Sequence, residues 1–493
     1  MAQIDLCTLK SHLWESANII RGSIDASDYK NYIFGMLFLK RLSDVFDEEQ
    51  DRLKSEKNVD LNDPDNYSFF IPKSSHWSRL KRLTQNLGEA INKANDALEE
   101  TNPETLEGVL SAVDFNDKDR LSDVTLSALI AHFSKINLAN KSLSNPDILG
   151  DAYEYLIAQF ADDAGKKGGE FYTPKEVVTL LVETLDPSEK MRICDPACGS
   201  GGMLVQSVRH LREIKQNPKD ISLFGQERNI GTWAICKMNM LLHVLPGARL
   251  EKGDTLREPK IIRENGKLME FDIVIANPPF SLKNWGYEEA QHDQHQRFRF
   301  GIPPKSYGDY AFVQHMIATL NSTGRAGVVL PHGVLFRGGA DGKIRKGIIE
   351  EDLLEAVIML PNNLFFGTGI SACLFIINKK KAKDRKGKVF FLYGANDYLA
   401  GKNQNRLRKE DIEKIVNSYR EYRTIEKYCR PVFLDEIRAN DHNLNITRYI
   451  DITEEEEPID VQDVLRQLKA LKKERAGVEK KMNRYLKELG FQV

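Results

Sequence analysis

After about residue 170 the sequence repeats one pattern, and this pattern limits the possible folds more than any other feature. Short apolar runs alternate with segments of helical period, and the runs are MRIC, ISLFG, FDIVIA, AGVVLP, LEAVIML, ACLFIINK and KVFFLY. Strands that alternate with helices predict a mostly parallel sheet covered by helices on both faces. The expected fold class is therefore α/β, with a doubly wound sheet.

The last apolar runs lie close together in the sequence. The basic stretch KKKAKDRKGK (379–388) separates ACLFIINK from KVFFLY. A short polar connection of this kind favours antiparallel pairing. We therefore expect the sheet to finish in an antiparallel hairpin whose loop is this basic stretch.

The segments on either side of the α/β region show a different spacing of apolar residues. Residues 1–150 carry apolar side chains at spacings of three and four, as in YKNYIFGMLFLKRL, which predicts a helical N-terminal domain. A Gly/Lys-rich stretch, DAGKKGGE (163–170), predicts a hinge near the start of the α/β domain, which we expect to span residues 151–452. After the acidic break TEEEEP, residues 453–493 show a heptad-like apolar pattern. This last helix either joins a coiled coil or packs as an ordinary amphipathic helix.

Composition excludes several classes of protein. With 41% hydrophobic and 29% charged residues the chain is typical of a soluble globular protein, and its net charge of −2 gives no overall basic field for DNA. We expect neither a signal peptide nor a membrane span, and a cytoplasmic location. The scattered cysteines and the His292/His295 pair lack a complete ligand set, so we expect no metal site.

The stretch MRICDPACGSGGML (191–204) predicts a strand, a glycine-rich turn and the start of a helix. Gly199, Gly201 and Gly202 allow a ligand to approach the backbone closely. The turn is not the G-x-G-x-x-G fingerprint of dinucleotide binding, and Asp195 would repel a pyrophosphate. An acid at this position instead suits a cationic ligand such as the amino-acid portion of S-adenosylmethionine.

Acidic residues also follow the next two predicted strands. Glu227 ends ISLFGQE, where a carboxylate accepts from both ribose hydroxyls. Asp254 in KGDTL either accepts from an adenine amino group or caps the following turn. Upstream, GGEFYTPKEVV (168–178) offers an aromatic pair and then a helix start at Thr173-Pro174. A nicotinamide-binding domain remains the alternative for this region.

The strand FDIVIA ends in Asn277-Pro278-Pro279-Phe280. The prolines fix φ, so the Pro278 carbonyl and the Asn277 side-chain oxygen are predicted to converge as two acceptors for one amino group. Phe280 can stack on a planar ring. This arrangement suits methylation of an amino group on an aromatic or amide carbon. A base in duplex DNA would first have to be flipped out.

Taken together, DPACGSGGM, GQE, GDT, NPPF and GEFYTP occur in an order that resembles the modification (M) subunits of type I restriction–modification systems, which are adenine-N6 DNA methyltransferases. The similarity spans nearly the whole chain. It implies the class I fold of methyltransferases that use S-adenosylmethionine as cofactor. From this resemblance, the residues expected to hold the target base are Asn277, Pro278, Pro279 and Phe280. The residues expected from the resemblance to bind the cofactor are Glu170, Phe171, Tyr172, Thr173, Pro174, Lys175, Asp195, Ser200, Gly201, Gly202, Glu227 and Asp254.

The resemblance also implies partners. These are DNA, a specificity (S) subunit that reads the sequence and binds two M subunits, and a restriction (R) subunit for cleavage. The helical ends are the expected docking elements, and RFRFGIPPKS (297–306) is either a DNA-facing segment or a solvated loop. Two alternatives stay open: the same chemistry on a protein glutamine or an RNA base, and an assembly scaffold with a vestigial site.

Overall fold

The computed structural model describes residues 3–24, 28–57, 59–145, 147–164, 172–365, 369–402, 404–453 and 461–491. The chain divides into two compact units, Met1–Ile450 and Asp451–Val493. Most of the Gly/Lys-rich stretch 163–170 and of the acidic break 453–458 lies outside the described residues. Among the described residues, no helix is both long and apolar enough to cross a membrane.

The first part of the larger unit is helical. Apolar side chains at helical spacing meet in one core, where Phe34, Phe133 and Phe160 are fully buried. Asp5 caps the first helix by accepting from the Thr8 amide at 2.8 Å. The helices are α1 (Leu6–Ile20), α2 (Tyr29–Leu53), α3 (Trp77–Leu80), α4 (Leu87–Thr101), α5 (Pro103–Leu106), α6 (Asp123–Phe133) and α7 (Ile148–Ala164). Helix α7 runs across the predicted domain boundary at residue 150.

A nine-stranded sheet forms the rest of this unit, in the order β3-β2-β1-β4-β5-β7-β6-β8-β9. Strands β1 to β5 run parallel to one another, whereas β7 is antiparallel to both β5 and β6. The strands are β1 (Arg192–Asp195), β2 (Ser222–Glu227), β3 (Arg249–Lys252), β4 (Phe271–Ala276), β5 (Leu320–Pro331), β6 (Leu354–Met359), β7 (Ala372–Asn378), β8 (Lys388–Tyr393) and β9 (Cys429–Phe433).

Helices cover the sheet. Their buried faces follow the apolar spacing of the sequence, as in α8, where Val177, Leu181 and Leu185 are buried. These helices are α8 (Lys175–Leu185), α9 (Gly202–Glu213), α10 (Ile230–Leu242), α11 (Tyr287–Ala290), α12 (Asp309–Ala318), α13 (Gly339–Glu350), α14 (Lys409–Glu421) and α15 (Leu434–Ala439). The predicted mostly parallel sheet with flanking helices is confirmed.

The expected hairpin between β7 and β8 is wrong. Strand β6 lies between them, antiparallel to β7 and parallel to β8, so the antiparallel hairpin of consecutive strands is β6–β7. All six residues of β6 are buried, and such a strand is most stable with a partner on each edge. The basic stretch therefore carries the chain past β6. There Lys381 forms an ion pair with Asp352 at 2.6 Å, and Arg385 forms one with Glu355 at 3.1 Å.

The smaller unit contains one long helix, α16 (Val461–Glu488). Its large apolar side chains recur at spacings of three and four, and they are exposed within this unit; Leu471, for example, is 62% exposed. An apolar stripe of this length on an otherwise charged helix is typical of a helix that packs against another helix.

Candidate active site

Strands β1, β2 and β4 are parallel, so their carboxyl ends meet at one edge of the sheet. At this edge lies a cavity of about 1110 Å³. The residues that follow each of these strands line it, together with the segment before α8. Of the predicted site residues, the lining includes Tyr172, Thr173, Asp195, Ser200, Gly202, Glu227, Asp254, Asn277 and Pro279.

The glycine-rich turn joins β1 to α9 beside the cavity. Gly201 has φ = +82°, and a Cβ atom there would lie 2.6 Å from Met240 Cε and 2.8 Å from Cys236 Sγ. Gly201 is therefore required by both conformation and packing. Gly202 differs, because a Cβ atom on it would meet no atom within 4 Å. It leaves open space at the first residue of α9, where free backbone N–H groups favour an anionic group.

Asp195 ends β1 and is buried, with 2% of its surface exposed. Its Oδ1 accepts from the Ala197 amide at 3.0 Å, which holds the carboxyl over the turn. Burial raises the pKa of Asp195 to about 8, and the nearby Glu227 carboxyl acts in the same direction. A cationic group entering the cavity would favour the ionised form of this carboxyl.

Glu227 ends β2 and holds the turn from the other side. Its Oε2 accepts from the Gly199 amide at 3.0 Å and its Oε1 from the Asn229 amide at 2.8 Å. Burial nevertheless raises the pKa of Glu227. Each carboxylate oxygen keeps further lone pairs, so Glu227 can also accept from a pair of neighbouring hydroxyl groups.

Asp254 lies after β3, the strand predicted before KGDTL, which has no long apolar run. Its Oδ1 caps the next turn by accepting from the amides of Leu256 at 3.0 Å and Arg257 at 3.2 Å. Its Oδ2 lies 3.4 Å from Arg228 Nη1. Of the two predicted roles for Asp254, the structure therefore contains the capping role.

The expected DNA-facing or solvated role of RFRFGIPPKS is wrong for Arg297, which is only 4% exposed. Its guanidinium donates to the carbonyls of Thr255 at 2.9 Å and Leu256 at 2.7 Å, and it forms an ion pair with Asp293 at 2.8 Å. Arg297 thus fixes the turn that follows Asp254. The guanidinium can be buried because backbone carbonyls and a carboxylate accept its hydrogens, although the sequence of this segment is typical of a loop.

Asn277 follows β4 and lines the cavity. Its Nδ2 donates to Thr173 Oγ1 at 2.9 Å. Its Oδ1 is buried and accepts no hydrogen bond from the described residues. A buried acceptor without a partner is costly unless a ligand supplies the donor. Pro279 also lines the cavity, while the Phe280 ring packs edge-on against Phe365 with ring centroids 5.6 Å apart.

Asp309, in the first turn of α12, stabilises the backbone directly after Asn277-Pro278-Pro279-Phe280. Its Oδ1 accepts from the Ser281 amide at 2.8 Å, and its Oδ2 accepts from Arg337 Nη1 at 2.9 Å. Ser281 has φ = +52°, so a fixed acceptor helps to hold an unfavourable conformation. No role was predicted for Asp309 from the sequence, although an acid before the apolar residues of YAFVQHMI is a usable signal of a helix start.

The upstream segment contributes in two ways. Tyr172 and Thr173 line the main cavity, whereas Pro174 and Lys175 line a neighbouring cavity of about 410 Å³. Glu170 and Phe171 lie outside the described residues. The start of α2 also lines the main cavity, with Asp28, Lys30 and Asn31. Nothing in the local pattern of the N-terminal region had indicated this contribution.

Comparison with known proteins identifies the family. Residues 144–458 match the family model described as N-6 DNA Methylase, and residues 9–133 match the model of the HsdM N-terminal domain. The chain is 34% identical to the type I restriction enzyme MjaVIII methylase subunit of Methanocaldococcus jannaschii, over 97% of this chain and 84% of that protein. The chain belongs to the family of type I restriction enzyme methylase subunits.

Further relatives support the same family. The HindI methylase subunit of Haemophilus influenzae is 32% identical over 86% of this chain and 100% of its own length. The crystal structure of a type I restriction–modification methyltransferase subunit from Streptococcus thermophilus superposes with a TM-score of 0.80 at 33% identity, covering 91% of this chain and all of that one.

The family decides the class of reaction. The fold is that of the methyltransferase subunits of this family. The chain is the methylation subunit of a type I restriction–modification system and an adenine-specific N6 DNA methyltransferase. Methylation of a protein glutamine or an RNA base is not favoured by these relatives.

Proposed function

We propose that the cavity at the carboxyl edge of the sheet binds S-adenosylmethionine and a flipped-out adenine side by side, and that Asn277-Pro278-Pro279-Phe280 holds the adenine for transfer to N6. One observation carries the proposal. The side-chain oxygen of Asn277 is buried without a partner among the described residues, and Asn277 lines the same cavity as the carboxyl groups of Asp195 and Glu227. This oxygen needs a donor, and an adenine amino group supplies one.

The donors and acceptors in the cavity fit the cofactor. Asp195 would receive the cationic amino group, and Glu227 the ribose hydroxyls. The open space at Gly202 and the start of α9 would receive the carboxylate. Ser200, Gly201, Asp254 and the segment Glu170–Lys175 complete the proposed site, with Asp254 acting through the turn that it caps.

S-adenosylmethionine supplies an electrophilic methyl group when it is bound. The protein has to make the adenine amino nitrogen reactive, because the lone pair of that nitrogen is delocalised into the ring. Asn277 Oδ1 and the Pro278 carbonyl would accept its two hydrogens and favour a pyramidal nitrogen. The two prolines fix the positions of both acceptors, so positioning and preorganised dipoles carry the catalysis. Phe280 would stack on the flipped base.

Replacement of the amide tests this assignment. Asn277→Ala removes an acceptor that acts only on the target, so we expect methyl transfer to fall by about two orders of magnitude or more, with cofactor affinity unchanged. Transfer would be measured on unmodified DNA with the assembled methyltransferase, and cofactor affinity by calorimetry.

Asn321→Ala is the matched control for Asn277→Ala. Near the opposite ends of β4 and β5, Asn321 Nδ2 donates to Asp272 Oδ1 at 2.7 Å and its Oδ1 accepts from the Thr323 amide at 3.0 Å, so this variant also loses the hydrogen bonds of a side-chain amide. It should retain methyl transfer. An Asn277→Ala protein that methylates DNA at the wild-type rate would refute the catalytic assignment.

The proposed partners are DNA, a specificity subunit that binds two of these chains, and a restriction subunit for cleavage. A separate subunit that reads the DNA sequence agrees with the net charge of −2, which gives this chain no general attraction for DNA.

We propose that the stripe of large apolar side chains on α16 docks a helix of the specificity subunit in a coiled coil. Its members include Val464, Leu468, Leu471, Val478, Met482 and Tyr485, all of them exposed within the smaller unit.

A further inference from the structure

The side-chain amide of Asn277 has two orientations, which exchange its oxygen and its nitrogen. Only the orientation with Oδ1 toward the cavity can accept a hydrogen from a target amino group, which brings donors alone. In the other orientation Nδ2 would face that amino group, and two donors would oppose each other. The catalytic arrangement therefore requires something to receive the Nδ2 hydrogen on the far side.

Thr173 is in place to do so. Its Oγ1 accepts from Asn277 Nδ2 at 2.9 Å, across 104 residues of sequence. Thr173 also lines the cavity, and its hydrogen bond links the segment before α8 to the turn after β4. We infer that Thr173 is a positioning residue, which holds the Asn277 amide with its oxygen toward the target amino group. The inference rests on the role of Asn277 proposed above.

The backbone around Thr173 is fixed, as a positioning role requires. The carbonyl of Pro174 accepts from the amides of Val177 at 3.0 Å and Val178 at 3.1 Å, which locks the first turn of α8. Pro174 itself has its φ restricted by the ring. Helix α8 in turn packs its buried face, Val177 and Leu181 among others, into the core. Thr173 therefore lies directly before the N-cap of a well-packed helix.

A hydroxyl can donate as well as accept, and this shapes the expected energetics. Thr173 can accept from Nδ2 in the productive orientation or donate to Oδ1 in the reversed one. An amino group entering the cavity selects the productive orientation, because it satisfies the buried Oδ1 only there. Without the hydroxyl, Nδ2 faces an apolar side chain, and the productive orientation leaves a buried donor unpaired.

The test replaces Thr173 in the full chain, assembled with its specificity subunit. Thr173→Val keeps the shape and removes the acceptor, while Thr173→Ser keeps the acceptor. We expect Thr173→Val to lower kcat for methyl transfer by about tenfold, the value of one hydrogen bond of roughly 1.4 kcal/mol. We expect the KM for S-adenosylmethionine to change much less, and Thr173→Ser to restore kcat.

Thr179→Val is the matched control. Thr179 lies in the second turn of α8, and its hydroxyl donates to the Lys175 carbonyl of that helix at 3.0 Å. This variant removes a nearby threonine hydroxyl but should leave kcat unchanged. Thermal melting of all three variants would separate a loss of folding from a loss of positioning.

Two outcomes would overturn the inference. In one, Thr173→Val weakens cofactor binding but leaves kcat intact, and Thr173 is then a cofactor ligand alone. In the other, Thr173→Ser is as slow as Thr173→Val, and the methyl group rather than the hydroxyl then matters. Failure of the proposed function is a separate result, since it would appear as an active Asn277→Ala protein.

Discussion

The pH dependence of cofactor binding follows from the environment of Asp195. This carboxyl is buried and has a pKa of about 8, compared with a usual value of 3.8. Only its ionised form can pair with the cationic amino group of the proposed cofactor. With a pKa of about 8, roughly one carboxyl in ten is ionised at pH 7 and one in a hundred at pH 6. The apparent affinity scales with this fraction, so it should rise about tenfold from pH 6 to pH 7.

The same pKa shift fixes the sign of the effect on folding. The folded, ligand-free protein binds the Asp195 proton more tightly than the unfolded chain does. Stability from this group is therefore full below the unfolded pKa, near 4, and it is lost as pH rises toward about 8. Cofactor binding should be accompanied by proton release in this range, because the bound cation lowers the pKa of the carboxyl.

The assay is isothermal titration of S-adenosylmethionine between pH 6.0 and 7.5, where an α-amino group with a pKa of about 8 is still charged. Buffers with different ionisation enthalpies report the protons released. Asp195→Asn cannot ionise, so its affinity should vary little with pH and fall further below wild type as pH rises. Asp341→Asn is the control. Asp341 lies in α13 beside Arg337, and burial raises its pKa as well, to about 6. A flat wild-type profile, or an unchanged slope in Asp195→Asn, would refute the reasoning.

Two further predictions concern the glycine turn and the C-terminal helix. Gly201→Ala places a Cβ atom against Met240 and Cys236, so we expect a loss of about 1–3 kcal/mol in unfolding free energy as well as weaker cofactor binding, measured by denaturation and calorimetry; Gly202→Ala, which meets no protein atom, should weaken cofactor binding alone. Leu468→Glu with Leu471→Glu should abolish co-purification with the specificity subunit without changing cofactor affinity; equal loss with Lys469→Glu and Lys473→Glu, which lie away from the seam, would count against the apolar stripe as the docking surface.

The sequence predicts most of the central sheet because its strands are short, apolar and bounded by turn residues. The runs of β1, β2 and β4 end in Asp195, Glu227 and Asn277, and strand polarity alone brings those ends to one edge. Strand β3 was predicted only as the strand region before Asp254, because RLEK is charged, and β9 was not predicted, because the proline and charge in CRPVF hide the pattern. The hairpin partner was wrong because sequence proximity does not reveal that β6 needs a neighbour on each edge.

Parts of the site depend on tertiary contacts and could not be predicted from local pattern. The hydrogen bond from Asn277 to Thr173 joins segments 104 residues apart. Arg297 reads as a loop cation, yet it is buried against the carbonyls of the turn after Asp254. The lining of the cavity by the start of α2 depends on how the helical region packs on the sheet. Family motifs identify the chemistry, whereas these contacts decide which residue positions which.

The central claim is methyl transfer to adenine N6 in DNA by this chain. The most direct measurement incubates unmodified chromosomal DNA with labelled S-adenosylmethionine and the purified chain, with and without its specificity subunit, and identifies the labelled nucleoside after digestion. We expect N6-methyladenine when the specificity subunit is present, and its loss with Asn277→Ala. Bound cofactor with no label in the DNA of the complete complex, or label on another base, would contradict it.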